Sequence, residues 1–60
     1  MSEQKILDLL KSNQFTKAKQ FIENLLKSEK ENITYIFYYG LILANERKYR
    51  DAINFFEKAL

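Results

Sequence analysis

An all-α architecture, four helices folded as two antiparallel hairpins, follows from three features of this chain. It holds no proline and a single glycine in 60 residues, so the strong helix breakers are almost absent. Apolar residues recur at three- and four-residue spacing in four segments, and short polar stretches separate those segments. The second half of the chain also echoes the first, which points to one small unit used twice.

The first helix is expected over residues 3–11. Ile6, Leu7, Leu9 and Leu10 fall on one narrow face there, with Ser2 and Glu3 suited to the amino end and Lys11 to the carboxyl end. Ser12, Asn13 and Gln14 form the turn, and Asn13 is one of the few non-glycine residues that tolerate a left-handed backbone. A second helix is expected over 15–27, with Phe15, Ala18, Ile22, Leu25 and Leu26 as its apolar stripe. The polar stretch SEKEN, 28–32, links the hairpins. Asn32-Ile33-Thr34 matches a glycosylation acceptor, but Asn32 is better read as the cap of the helix that follows.

The third helix, 33–46, competes with a strand, because YIFYYG alone is rich in aromatic and β-branched residues. A lone strand has no partner here, and the run continues through LILAN without a breaker, so the helix is preferred. Its main stripe is Ile36, Tyr39, Gly40 and Leu43. Glycine in a helix costs about 1 kcal/mol against alanine, so Gly40 predicts close approach of a neighbouring helix. This helix is apolar nearly all round and must be covered on more than one side. Phe37, Leu41 and Ala44 form the face left for a binding groove or another copy of the chain. The fourth helix is expected over 48–60 with the stripe Tyr49, Ala52, Ile53, Phe56, Ala59 and Leu60, and Phe55 lies off that stripe.

Ile36, Tyr39, Gly40, Leu43, Tyr49, Ala52, Phe56 and Ala59 stand in the order of a known signature: large-x2-Leu-Gly-x2-Tyr, then Ala, an aromatic and Ala. The chain thus resembles the tetratricopeptide repeat family, a 34-residue helix-turn-helix unit. Ile36 stands where the family usually has tryptophan, Arg47 where it has the turn glycine, and the sequence stops before the position of the closing proline. A shift of 34 residues superposes Leu7 on Leu41, Leu9 on Leu43, Phe15 on Tyr49, Ala18 on Ala52, Phe21 on Phe55, Ile22 on Phe56 and Leu26 on Leu60. Residues 1–60 therefore read as one domain of two repeats, an atypical amino-terminal one over about 1–31 and a second over about 32–60 that stops short. The resemblance implies a fragment of a right-handed α-α superhelix.

The same residues narrow the function. No cysteine or histidine is present, which removes disulfides, most zinc sites and the usual serine or cysteine nucleophile systems. One glycine cannot build a phosphate-binding loop. The carboxylates fall on polar faces and turns, so no catalytic residue, metal or cofactor is assigned. A net charge of +2 is slight and its basic residues are dispersed. Arg47, Lys48 and Arg50 at the second turn could touch phosphates, which leaves weak RNA binding as one alternative. The apolar run over 33–44 falls short of the roughly 20 residues that span a bilayer. With no secretory pattern in MSEQKILDLLKSNQ, a cytoplasmic location is expected.

The resemblance implies that the first helices of successive hairpins line a concave groove for peptides or helices. Those positions are Glu3, Leu7, Leu10 and Lys11 from the first helix, and Thr34, Phe37, Tyr38, Leu41, Ala44 and Asn45 from the third. Family members that clamp the carboxylate of chaperone tails carry lysine and asparagine where this chain has Glu3, Leu7 and Tyr38, so that role is not expected. The expected function is a non-catalytic protein-interaction scaffold. An amino-terminal piece of a larger enzyme, such as a transferase, is the rival from another class. Two hairpins are few for a stable repeat stack, so self-association, with a dimer favoured, is expected through Phe37, Tyr38, Leu41, Ile42 and Phe55.

Overall fold

Four helices carry the chain in the computed structural model, which describes residues 2–60: α1 (Ser2–Lys11), α2 (Phe15–Ser28), α3 (Ile33–Asn45) and α4 (Tyr49–Ala59). No strand occurs among the described residues. The expected helices are all present, each within a residue or so of its expected bounds, and YIFYYG lies in α3.

The turns explain why the helices stop where they do. Asn13 is left-handed, with φ 60°, and its N–H donates to the Leu10 carbonyl while Gln14 N–H reaches back to the Leu9 carbonyl at 2.8 Å. This pair of bonds satisfies two carbonyls that the end of α1 would otherwise leave bare. The geometry recurs 34 residues later: Arg47 has φ 65°, Arg47 N–H donates to Ala44 and Lys48 N–H to Leu43. Gln14 and Lys48 then open the next helix without a side-chain cap. At the link between hairpins the cap is Asn32, whose Oδ1 accepts from Tyr35 N–H at 3.2 Å as the sequence predicts.

Each hairpin is antiparallel and closes on its own seam. Along the second, Phe37 meets Phe56, with ring centroids 5.7 Å apart, and Tyr39 meets Phe55 at 4.8 Å. Residue numbers thus rise on one helix as they fall on the other. Ile36, Leu43 and Ala52 are buried in α3 and α4, and Gly40 is buried against α4. A β-carbon at Gly40 would stand 2.6 Å from Phe56 Cε1, so the missing side chain is what lets the ring approach.

The hairpins meet through α2 and α3, also antiparallel, since Lys19 lies beside Glu46 and Glu23 beside Tyr39. Ile6, Ala18, Ile22 and Ile42 form one fully buried cluster fed by α1, α2 and α3. That corrects one expectation: Ile42, expected on an outer self-association surface, has no exposed area. Its burial stabilises the joint between hairpins by about 1.5–3 kcal/mol. The α3 helix is covered on two flanks, by α4 and by the first hairpin, and only the Phe37–Leu41 flank is open.

Candidate partner-binding groove

A groove of about 450 Å³ lies at the amino end of α3, lined by Glu3, Ile33, Thr34, Phe37, Tyr38, Phe56, Ala59 and Leu60. Of the residues expected to line a groove, it brings Glu3, Thr34, Phe37 and Tyr38 together, joining α1 to α3. The Phe37 ring forms its wall, held edge-on by Tyr38 at 6.1 Å and supported from below by Phe56. A larger hollow, of about 570 Å³, lies over the link but is lined only by Ser28, Glu29, Lys30, Glu31 and Asn32. Its lining holds no aromatic or aliphatic residue, whereas Phe37, Tyr38, Phe56, Ile33 and Leu60 wall the smaller groove, so the smaller groove is the better site.

The other expected groove residues are distributed differently. Leu10 packs on the buried cluster and Leu7 is half-buried, so neither faces a ligand freely. Lys11 and Asn45 are exposed at the far ends of α1 and α3, away from the groove. Leu41 is exposed one turn beyond the groove, beside half-buried Ala44. From α4 come Phe56, Ala59 and Leu60, which sequence reasoning placed in a core stripe. Ile33, also missed, precedes Phe37 by four residues, and that spacing alone could have put it on the same face.

Two of the expected self-association residues are less available than expected. Tyr38 is half-buried against the core cluster. Phe55 is half-buried, with the Tyr39 ring on one side and Lys58 Nζ 4.8 Å from its centroid on the other. The cause is the crossing of α3 and α4, which carries Phe55 onto Tyr39. Phe21, one repeat earlier, is half-buried too, and that equivalence was the available signal.

Polar contacts hold the groove's scaffold from the opposite side of α3. Tyr39 Oη donates to Glu23 Oε2 at 2.5 Å. Burial, then this bond to a carboxylate, raises the phenol far above its ordinary range. Lys19 Nζ donates to Glu46 Oε1 at 3.0 Å, and Lys48 lies 3.7 Å from the same oxygen. The bond to Glu46 raises the Lys19 ammonium, and the bond to Lys19 lowers the Glu46 carboxyl. Lys48 is thus partly neutralised by its own neighbour, which weakens the basic turn as a phosphate contact. Among the described residues no group of acidic side chains is arranged to hold a metal ion, and no helix is long and apolar enough to cross a membrane.

Comparison of the chain with protein-family models, with characterised proteins and with solved structures finds no match.

Proposed function

We propose that this chain is a non-catalytic, cytoplasmic protein-interaction module. It is built from two tetratricopeptide-like repeats that form a short piece of right-handed superhelix. The observation that carries the reading is the apolar groove at Phe37, bounded by first helices of both hairpins and sealed by α4. Repetition of the turn geometry at a spacing of 34 residues supports the repeat assignment. The ligand class that suits the groove is a short apolar segment of another protein. Phe37, Ile33 and Leu60 supply the apolar contact, and Glu3 and Thr34 supply a polar rim.

The test is a fluorescence titration with peptides selected from a random displayed library on the immobilised chain. Selected peptides should carry aromatic or aliphatic anchors, and Phe37→Glu should weaken binding by about tenfold or more, because a charge replaces a buried contact. Binding unaffected by that substitution, or selection of no peptide at all, contradicts the proposal. The variant keeps the buried seam residues Ile36, Gly40 and Leu43 and loses the ring contacts of Phe37 with Tyr38 and Phe56, so circular dichroism of the variant is compared with the parent to separate lost binding from lost helix.

A further inference from the structure

The six most exposed large apolar side chains among the described residues all lie on one face of the second hairpin. Ile33, Phe37 and Leu41 follow one another at four-residue spacing along α3, and Tyr49, Ile53 and Leu60 run along α4. Phe37 meets Phe56 on this flank, opposite the flank where Tyr39 meets Phe55, so both rows share one side of the seam. Each of the six is 40% exposed or more.

The internal period shows what such a face holds. One repeat earlier, α2 presents Phe15, Lys19, Ile22 and Leu26 at the equivalent positions, and this surface receives α3: Ile22 shares the buried cluster with Ile42, and Lys19 binds Glu46. The α4 helix presents Tyr49, Ile53, Phe56 and Leu60 there, with apolar Ile53 in place of Lys19. We infer that a second copy of this chain covers the α4 row of this face, in a closed twofold dimer with α4 antiparallel to its counterpart. The inference goes beyond the groove and does not require that the groove bind a peptide.

Two features select this arrangement. Head-to-tail stacking would bring α1 of the next copy onto α4. Where α3 docks with Tyr38 and Ile42, α1 offers Gln4 and Asp8, which are hydrogen-bonded to each other at 3.0 Å on an exposed surface. Burying them on Ile53 and Leu60 is unfavourable, whereas a twofold pair sets apolar face on apolar face. Arg50 and Glu57 also flank Ile53 on the outer edge of α4, both exposed. Among the described residues, neither has an ion-pair partner. Antiparallel pairing centred between Ile53 and Asn54 sets each Arg50 against the Glu57 of the other copy, twice per dimer. At +2 per chain, long-range repulsion between copies is small.

Sedimentation of the whole chain from micromolar to millimolar concentration should show a reversible monomer–dimer equilibrium. Ile53→Glu should weaken it on the order of 100-fold, because each dimer contains the site twice. Arg50→Glu and Glu57→Arg should each weaken it by about tenfold. Mixing those two variants should restore a heterodimer of near-parental affinity, since each charge then meets its opposite. A monomer at every concentration overturns the inference, as do open polymers, a dimer indifferent to Ile53→Glu, or a mixture that recovers nothing. Should Ile53→Glu lose helicity, the charge-reversal mixture decides alone, because Arg50 and Glu57 are both exposed and stand in no ion pair among the described residues.

Discussion

Replacing Gly40 by alanine sets two effects of known size against each other. An alanine in the middle of a helix is worth about 1 kcal/mol over glycine. The new methyl would lie 2.6 Å from Phe56 Cε1 and 2.9 Å from Cδ1, whereas carbon atoms rest at about 3.5–4.0 Å. The ring must retreat, and in doing so it gives up its contact with Phe37 in the groove wall. Overpacking of this kind costs about 1–3 kcal/mol, so Gly40→Ala should be destabilising by roughly 1 kcal/mol net. In a Phe56→Ala background the obstruction is gone, and the same change should stabilise by about 0.5–1 kcal/mol. Urea unfolding followed by circular dichroism measures the four corners of the cycle, with an osmolyte added to keep the weakest variant folded. If Gly40→Ala has the same sign with and without the Phe56 ring, the packing account of this glycine is wrong.

Other perturbations test separate links. Arg47→Gly relieves a left-handed backbone in a residue with a β-carbon and should stabilise by about 0.5–1 kcal/mol, whereas Asn13→Gly should gain less; thermal melts of the two variants compare them. Asn32→Ala removes the acceptor for Tyr35 N–H and should cost about 1 kcal/mol by urea titration, with Asn32→Ser restoring most of it. Tyr39 must stay protonated to keep its place. Its stabilisation is therefore complete below the ordinary phenol value of 10.0 and is lost as pH rises above it. Tyr39→Phe should flatten the alkaline limb of a pH–stability curve, leaving the share carried by Lys19, whose raised ammonium contributes in the same direction.

Much of this fold was legible because local signals agreed with one another. Asn13 and Asn32 are polar residues with specific backbone uses, and both serve those uses. Gly40 sits where only a crowded helix crossing would favour it, and the crowding atom is the Phe56 ring. The failures arose where periodicity loses its phase. An almost wholly apolar α3 gives no internal clue to which flank the first hairpin covers, so Ile42 was placed outside while it lies at the centre of the joint. The α4 stripe is broad, and the crossing with α3 shifts it toward Phe55, leaving Tyr49 and Ile53 exposed. For the groove, the register brought Glu3, Thr34, Phe37 and Tyr38 together, but not Ile33 or the α4 residues that close it. Their placement depends on how two helices cross, which is a tertiary property.

We propose that protein partners meet this molecule through the open flank of α3, and residue-by-residue NMR on isotope-labelled chain would see that contact. With a library-selected peptide added, the amides of Thr34, Phe37 and Tyr38 should shift, while those of Ala18 and Ile22 in the buried joint stay in place. Shifts confined to 28–32 or to the basic turn at Arg47 and Lys48, with Phe37 unmoved, would contradict it.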